Sequence, residues 1–195
     1  MRPGLKLFFV RHGETDWNAE RRYQGQRDIP LNARGRAQSR RNGEALRPFL
    51  PQLAQADFVA SPLGRARETM EILRQSLGLE PSSYRVDHRL IELSYGSWEG
   101  QLQAHLPQTD PTGLADRTVD PFRWRPRGGE SYEDLLRRTI EWADTLERDT
   151  VIASHGGVSR CLRAYVLALH REVIPSLESP QDRVLLLDDG RMSWV

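Results

Sequence analysis

Leu5-Lys6-Leu7-Phe8-Phe9-Val10 is a short apolar run closed by charged residues and a glycine, the pattern of a buried strand that feeds a loop. Residues 33–50 are rich in Arg, Ala and Leu, and Pro48 and Pro51 stand near the end, which predicts an arginine-decorated helix that stops there. Phe58-Val59-Ala60 predicts a second strand. After it Ser61 can cap a helix and Pro62 can open it, with Ala66, Thr69, Met70, Leu73 and Leu77 repeating at helical spacing up to Gly78. Tyr84-Arg85-Val86-Asp87 predicts a further strand. Residues 93–129 are dense in Gly, Pro, Trp and Asp and predict loop with short helices. Trp98 and Trp124 within that stretch argue for packing over disorder, so it is expected to form a lid or pocket wall. Ser131 followed by Asp134 marks a helix start, with Leu135, Thr139, Ile140, Ala143 and Leu146 on one face. Thr150-Val151-Ile152-Ala153-Ser154 predicts a strand that runs through His155-Gly156-Gly157 into a helix carrying Val158, Cys161, Leu162, Tyr165, Val166 and Leu169. A last strand at residues 184–187 precedes the turn Asp188-Asp189-Gly190 and the terminal Met192-Ser193-Trp194-Val195.

Strands alternating with helices, without internal repeats, predict an α/β three-layer sandwich with a largely parallel central sheet flanked by helices. A chain of 195 residues is expected to form one domain, residues 1–195, with the loop-rich lid at about 93–129. Lys plus Arg number 28 and Asp plus Glu 27, so net charge gives no reason to expect nucleic acid or membrane as partner. Any anion site must be local. Cys161 is the single cysteine, no apolar run reaches the length of a membrane span, and the first residues lack the apolar core of a signal peptide; a cytoplasmic protein is expected.

Sites in parallel α/β sheets gather at strand C-termini, and three candidates sit just beyond predicted strands: Arg11-His12 after the first, Arg65 in the opening turn after the second, and His155 after the later one. A histidine held at a sheet edge before Gly13, with room for a ligand at the backbone, suits a nucleophile. Arg11, Arg65, Asn18 and the start of the helix after Ser61 could supply the cations and N–H donors that a phosphoryl group requires. His155 could donate to a phosphate oxygen. Glu92, an acid between apolar residues, could protonate a leaving alkoxide and then activate water.

The residues also carry a resemblance. Arg11-His12-Gly13-Glu14-Thr15 with Trp17-Asn18, then Ser61-Pro62-Leu63-Gly64-Arg65-Ala66-Arg67-Glu68-Thr69, Glu92 with Tyr95-Gly96-Ser97-Trp98-Glu99-Gly100, Gly128-Gly129-Glu130-Ser131 and Ser154-His155-Gly156-Gly157 resemble, in order, the motifs of the histidine phosphatase superfamily. Its other well-known branch is the cofactor-dependent phosphoglycerate mutases. The resemblance implies a phosphoglycerate mutase-like fold, with His12 as a covalent phosphohistidine nucleophile. It further implies a phosphate pocket of Arg11, Asn18, Gln24, Gly25, Arg65 and His155, with Glu92 as proton donor. Gln24-Gly25 departs from the Thr or Ser before Gly of the mutases, and no counterpart of their basic, proline-bearing insertion is evident. Both differences favour hydrolysis of a small phosphorylated metabolite, as in the broad-specificity and α-ribazole phosphatases, over phosphoryl transfer within a closed site.

Two other functions stay open: a phosphoglycerate mutase, and a non-catalytic regulatory protein on the same fold. No cofactor is expected, and no metal, because arginines beside His12 and His155 would repel a cation and no HxH or HxxE pairing accompanies them. His88, His105 and His170 have no such company and read as surface or packing residues. Arg123, Arg125 and Arg127 around Trp124 read as a solvated face, with selection of a second anionic group on the substrate as the alternative. Cys161 reads as core packing.

Overall fold

The structure is a computed structural model that describes residues 2–195. In chain order the elements are β1 (Lys6–Arg11), α1 (Asp16–Ala19), α2 (Ala33–Ala45), α3 (Leu50–Leu53), β2 (Asp57–Ala60), α4 (Gly64–Ser76) and β3 (Arg85–Val86). There follow α5 (Leu106–Thr109), α6 (Pro111–Val119), α7 (Tyr132–Ala143), β4 (Thr150–Ser154), α8 (Gly156–Val166), β5 (Val184–Asp188) and β6 (Arg191–Trp194), with short 3₁₀ turns between several of them. The strands form one six-stranded sheet in the order β3-β2-β4-β1-β5-β6. The first four of these are mutually parallel, whereas β5 runs antiparallel to β1 and β6 to β5. The expected α/β sandwich is thus present, closed at one edge by a hairpin. Asp189 and Gly190 make its two-residue turn, both with positive φ (43° and 74°), the twist that suits a tight hairpin.

Alternation along β1 decides the layers. Leu7 and Phe9 point to one side of the sheet with Val59 and Ile152, against Leu135 and Trp142 of α7 and Val158, Cys161 and Leu162 of α8. Phe8 and Val10 point to the other side with Phe58, Val151 and Ala153, against Leu46, Met70, Leu73 and Leu77 beside α2 and α4. Each such fully buried large side chain contributes roughly 1.5–3 kcal/mol, so β1 alone anchors both helical layers.

Two expected helices differ from the sequence reading. The helix expected over residues 33–50 ends at Ala45, because Pro48 cannot donate within an α-helix; a 3₁₀ turn, Arg47–Phe49, and α3 continue the chain. The second helix opens at Gly64, with neither Ser61 as its cap nor Pro62 as its first residue. A carboxylate from elsewhere takes its first N–H groups, Asp28 accepting from Gly64 N at 2.6 Å and from Arg65 N at 3.4 Å. Ser61 Oγ is engaged instead with His155 Nε2, at 2.7 Å. The Ser131 cap is as expected, a capping box closed by Asp134.

Candidate active site

Register brings the candidates together. Arg11 at the end of β1 pairs with Ser154 at the end of β4, and Ala60 at the end of β2 pairs with Ala153. The residues that leave those three neighbouring strands are therefore His12, His155 and Ser61. The rings of His12 and His155 lie 5.1 Å apart, centroid to centroid.

His12 is 2 % exposed. Its Nδ1 lies 2.8 Å from the carbonyl oxygen of Gly13, an acceptor, so Nδ1 carries the proton and Nε2 presents a lone pair. Arg65 Nε points at that lone pair from 3.4 Å. Burial, reinforced by Arg65 and then Arg11, holds the imidazole well below the ordinary histidine range, so it is neutral at neutral pH. The backbone is fixed as well: His12 N donates to Ser154 O at 2.8 Å, and His12 O accepts from Gln181 Nε2 at 3.0 Å. Gly13 serves a different purpose from the one expected. A Cβ there would overlap the backbone of Gly35, so the glycine admits α2 against the nucleophile loop and is not a ligand approach.

His155 is anchored through its other ring nitrogen. Its Nε2 lies 2.7 Å from Ser61 Oγ, and its buried Nδ1 has no protein partner; with the Ser61 hydroxyl donating to Nε2, that Nδ1 carries the proton and is a donor. Burial and the Arg65 charge push this imidazole, too, well below its usual range. Arg11 Nη1 donates to Ser179 O at 2.5 Å, while its buried Nε has no partner. Leaving such donors unsatisfied costs about 1–3 kcal/mol each, a cost that an anionic ligand would offset.

Arg65 is 1 % exposed and is stapled in place. Nη1 donates to Arg27 O at 2.6 Å and Nη2 to Gly25 O at 2.7 Å, and Asp28 lies 3.6 Å away. Burial lowers the guanidinium to about 10, so it remains charged. The Gln24 amide fits best with its nitrogen toward Thr15 Oγ1 (2.5 Å) and its oxygen toward Arg65 Nε (2.6 Å). Gln24 and Gly25 thus hold the arginine and also line the cavity. Asn18 closes the capping box of α1, and its Oδ1 accepts from Thr15 N and from Gln181 Nε2, which turns the NH₂ to the cavity.

Glu92 is not enclosed by apolar side chains. Its Oε1 accepts from Leu93 N at 2.9 Å and Gly157 N at 3.1 Å, and Oε2 receives only the longer Gly157 contact of 3.2 Å. The carboxyl is thereby docked on the first turn of α8, with Oε2 the freer oxygen. Arg138 fastens the segment from behind, donating to Arg89 O, Ile91 O and Glu92 O and pairing with Glu130 at 3.1 Å.

Arg11, His12, Asn18, Gln24, Gly25, Arg65 and Glu92 line one cavity of about 310 Å³, whereas His155 is fully buried beside His12 and its neighbour Gly156 lines the cavity in its place. Arg22, Tyr23, Tyr95, Gln103, Arg117 and Arg160 also line it. Sequence reasoning missed most of that wall, together with Ser61, Gln181 and Arg138. Arg123, Arg125 and Arg127 do not line it; Arg123 pairs with Glu133 and Arg125 with Asp134 on the surface. His88, His105 and His170 are exposed, and Cys161 is buried in the core. Among the described residues no group of three or more His, Cys, Asp or Glu side chains is placed to hold a metal ion, and no helix is long and apolar enough to cross a membrane.

Comparison with known proteins places this geometry. The model of the histidine phosphatase superfamily, branch 1, matches residues 7–194. A curated relative, Probable phosphoglycerate mutase GpmB of Salmonella paratyphi C, is 36% identical over 170 residues, 85% of this chain and 76% of the relative. The structure of a mycobacterial glucosyl-3-phosphoglycerate phosphatase, solved with VO3, aligns with TM-score 0.79 at 30% identity over 98% of this chain and 97% of that one. The α-ribazole phosphatase of Shigella flexneri aligns with TM-score 0.82 at 24% identity, over 98% and 95%, a likeness of fold.

Proposed function

This chain belongs to the histidine phosphatase superfamily and is a phosphatase of that type, and we propose that it hydrolyses phosphomonoesters of small metabolites through a phosphohistidine on His12. The observation that carries the reading is a pair of buried imidazoles, 5.1 Å apart, anchored through different ring nitrogens. His12 offers a neutral Nε2 lone pair, and His155 beside it offers an unpartnered Nδ1–H.

In this reading Arg11, Arg65, Asn18 and the His155 N–H bind the phosphoryl oxygens, and Gln24 and Gly25 keep Arg65 aimed. His12 Nε2 attacks phosphorus; the N–P bond forms as the ester P–O bond breaks. Glu92 gives its proton to the departing alkoxide, which leaves as the alcohol. The same group, now a carboxylate, takes a proton from water as that water attacks phosphorus. The N–P bond breaks, phosphate departs, and His12 and protonated Glu92 are restored. Two arginines and a histidine N–H supply the charge stabilisation, so the mechanism calls for no metal and no organic cofactor. The enzyme is read as one cytoplasmic domain with residues 93–129 as its lid.

The test is hydrolysis of p-nitrophenyl phosphate. His12→Ala should abolish it, and a chelator should leave the wild type unchanged; an active alanine variant, or loss with chelator, overturns the mechanism. The name carried by the 36% identical relative favours one second reading, a phosphoglycerate mutase. Free phosphate against isomerised phosphoglycerate, with and without a bisphosphorylated primer, separates the two.

A further inference from the structure

The peptide unit between His12 and Gly13 is fastened at both ends. Its carbonyl accepts from Gln181 Nε2 at 3.0 Å, and its N–H, that of Gly13, donates to Thr69 Oγ1 at 3.1 Å. The same Gln181 nitrogen donates to Asn18 Oδ1, also at 3.0 Å. A backbone carbonyl only accepts, so the nitrogen end of the Gln181 amide faces His12. Its two hydrogens are divided between the backbone of the nucleophile and a side chain of the phosphate pocket. Gln181 is not one of the residues that line the cavity, so it reaches both from behind.

The segment that carries Gln181 is built to hold it there. Residues 177–181 lie between the 3₁₀ turn Arg171–Ser176 and β5, outside any helix or strand, yet side chains take four of their carbonyls. Arg160 Nε donates to Leu177 O at 2.6 Å, Arg163 Nη1 to Glu178 O at 2.7 Å and Arg11 Nη1 to Ser179 O at 2.5 Å. Asn42, 2 % exposed on α2, donates from Nδ2 to Gln181 O at 3.0 Å. Three of these donors are guanidinium groups, whose hydrogen bonds are the strong, charge-assisted kind. A connection that only closed the chain would need neither this density of anchors nor an amide aimed at two members of the site.

We propose that Gln181 is a positioning residue of the reaction: one amide turns the Asn18 NH₂ toward the phosphoryl group and fixes the His12 backbone from which the imidazole attacks. The inference rests on the phosphohistidine reading above and adds to it a group outside the cavity.

Calorimetry with inorganic phosphate reads the Asn18 half of the proposal, and p-nitrophenyl phosphate kinetics the His12 half. Gln181→Met keeps the length of the side chain and removes the donor. It should weaken phosphate binding about fivefold to tenfold, the worth of one hydrogen bond. It should also lower kcat about tenfold or more, since misplacement of a reacting group by about 1 Å costs on the order of 10²-fold. The sharper readout is a double-mutant cycle on phosphate affinity. Asn18→Ala alone should weaken binding by a similar factor, and adding Gln181→Met should weaken it less than about twofold further, because the amide that Gln181 orients is gone. A merely structural role predicts that the two losses multiply. Gln181→Ala, which removes the donor without adding bulk, should repeat the pattern and replaces Gln181→Met if that variant does not fold. Unchanged phosphate affinity and kcat in a folded Gln181 variant, losses that multiply, or a wild type that does not bind phosphate would each overturn the proposal. If the cycle shows the coupling but the wild type does not cleave p-nitrophenyl phosphate, the phosphatase reading falls and the placement of Asn18 by Gln181 stands.

Discussion

Gly157 offers a way to move the proposed proton donor without changing its chemistry. A Cβ built on Gly157 would lie 2.5 Å from Glu92 Oε1 and 2.8 Å from Leu135 Cδ2. Ordinary contact begins near 3.4 Å, so in Gly157→Ala the carboxyl must retreat by about 0.9 Å, and its hydrogen bonds to Gly157 N lengthen or break. Gly157 lies in the first turn of α8, where the preference of alanine over glycine is smaller than the roughly 1 kcal/mol of a helix interior and offsets only part of the crowding. Stability should therefore change little while catalysis suffers. Misplacement of a catalytic group by about 1 Å costs on the order of 10²-fold, and general acid catalysis as a whole contributes about 10²–10⁴-fold. We predict that kcat for an alkyl phosphate, whose leaving group must be protonated, falls about 30- to 100-fold. For p-nitrophenyl phosphate, whose leaving group departs without a proton, the first step should fall only a few-fold. Steady-state kinetics on both esters, beside urea denaturation, reads the difference, with Glu92→Gln as the reference. Wild-type kcat on the alkyl ester in a folded Gly157→Ala protein, or equal slowing on both esters, would refute the assignment of Glu92 as the acid.

Stability should fall with acid in a way that reports the two buried histidines. Both are held neutral below the ordinary histidine pKa, so below about pH 6.5 the unfolded chain binds protons that the folded chain refuses, and stability drops toward the depressed folded pKa. Each contributes a slope of up to about 1.4 kcal/mol per pH unit. Urea denaturation between pH 7.5 and 5.5 should show that slope in the wild type and lose it in a His12→Asn/His155→Asn variant; identical pH dependence would contradict the burial argument. Arg138→Met removes the partner of three backbone carbonyls and of Glu130, and should destabilise by about 3–5 kcal/mol while slowing alkyl phosphate turnover more than p-nitrophenyl phosphate turnover. A loss below about 1 kcal/mol by urea denaturation would show that the clamp is replaceable.

Much of the fold was legible because β1 is a run that can only be buried. Leu7, Phe8, Phe9 and Val10 place the strand at the centre of the sheet, and His12 follows from where that run stops. Hydroxyls and glycines were harder. Ser61 has the local signature of a helix cap, yet a tertiary partner, the His155 ring, claims its hydroxyl, and Asp28 caps the helix from across the chain. Gly13 invited a ligand-side explanation, whereas the constraint is the backbone of Gly35 on α2. The rest of the cavity wall was illegible for a related reason. Arg117 and Arg160 lie on different helices, and nothing in spacing sets them apart from Arg123 or Arg125, which meet Glu133 and Asp134 at the surface. A charge run in sequence says where the arginines are dense; only the packing of Tyr23, Trp98 and Trp124 says which one is aimed.

The phosphohistidine itself can be trapped. Glu92→Gln should permit phosphorylation of His12 by a ³²P-labelled ester with a good leaving group while slowing attack by water, so the labelled protein accumulates before an alkaline quench. The account predicts label approaching one phosphoryl group per chain, stable in base, labile in acid, confined to the peptide that carries His12, and absent when His12→Ala is added. Label that survives His12→Ala, or a fully active enzyme that never becomes labelled at any quench time, would contradict it.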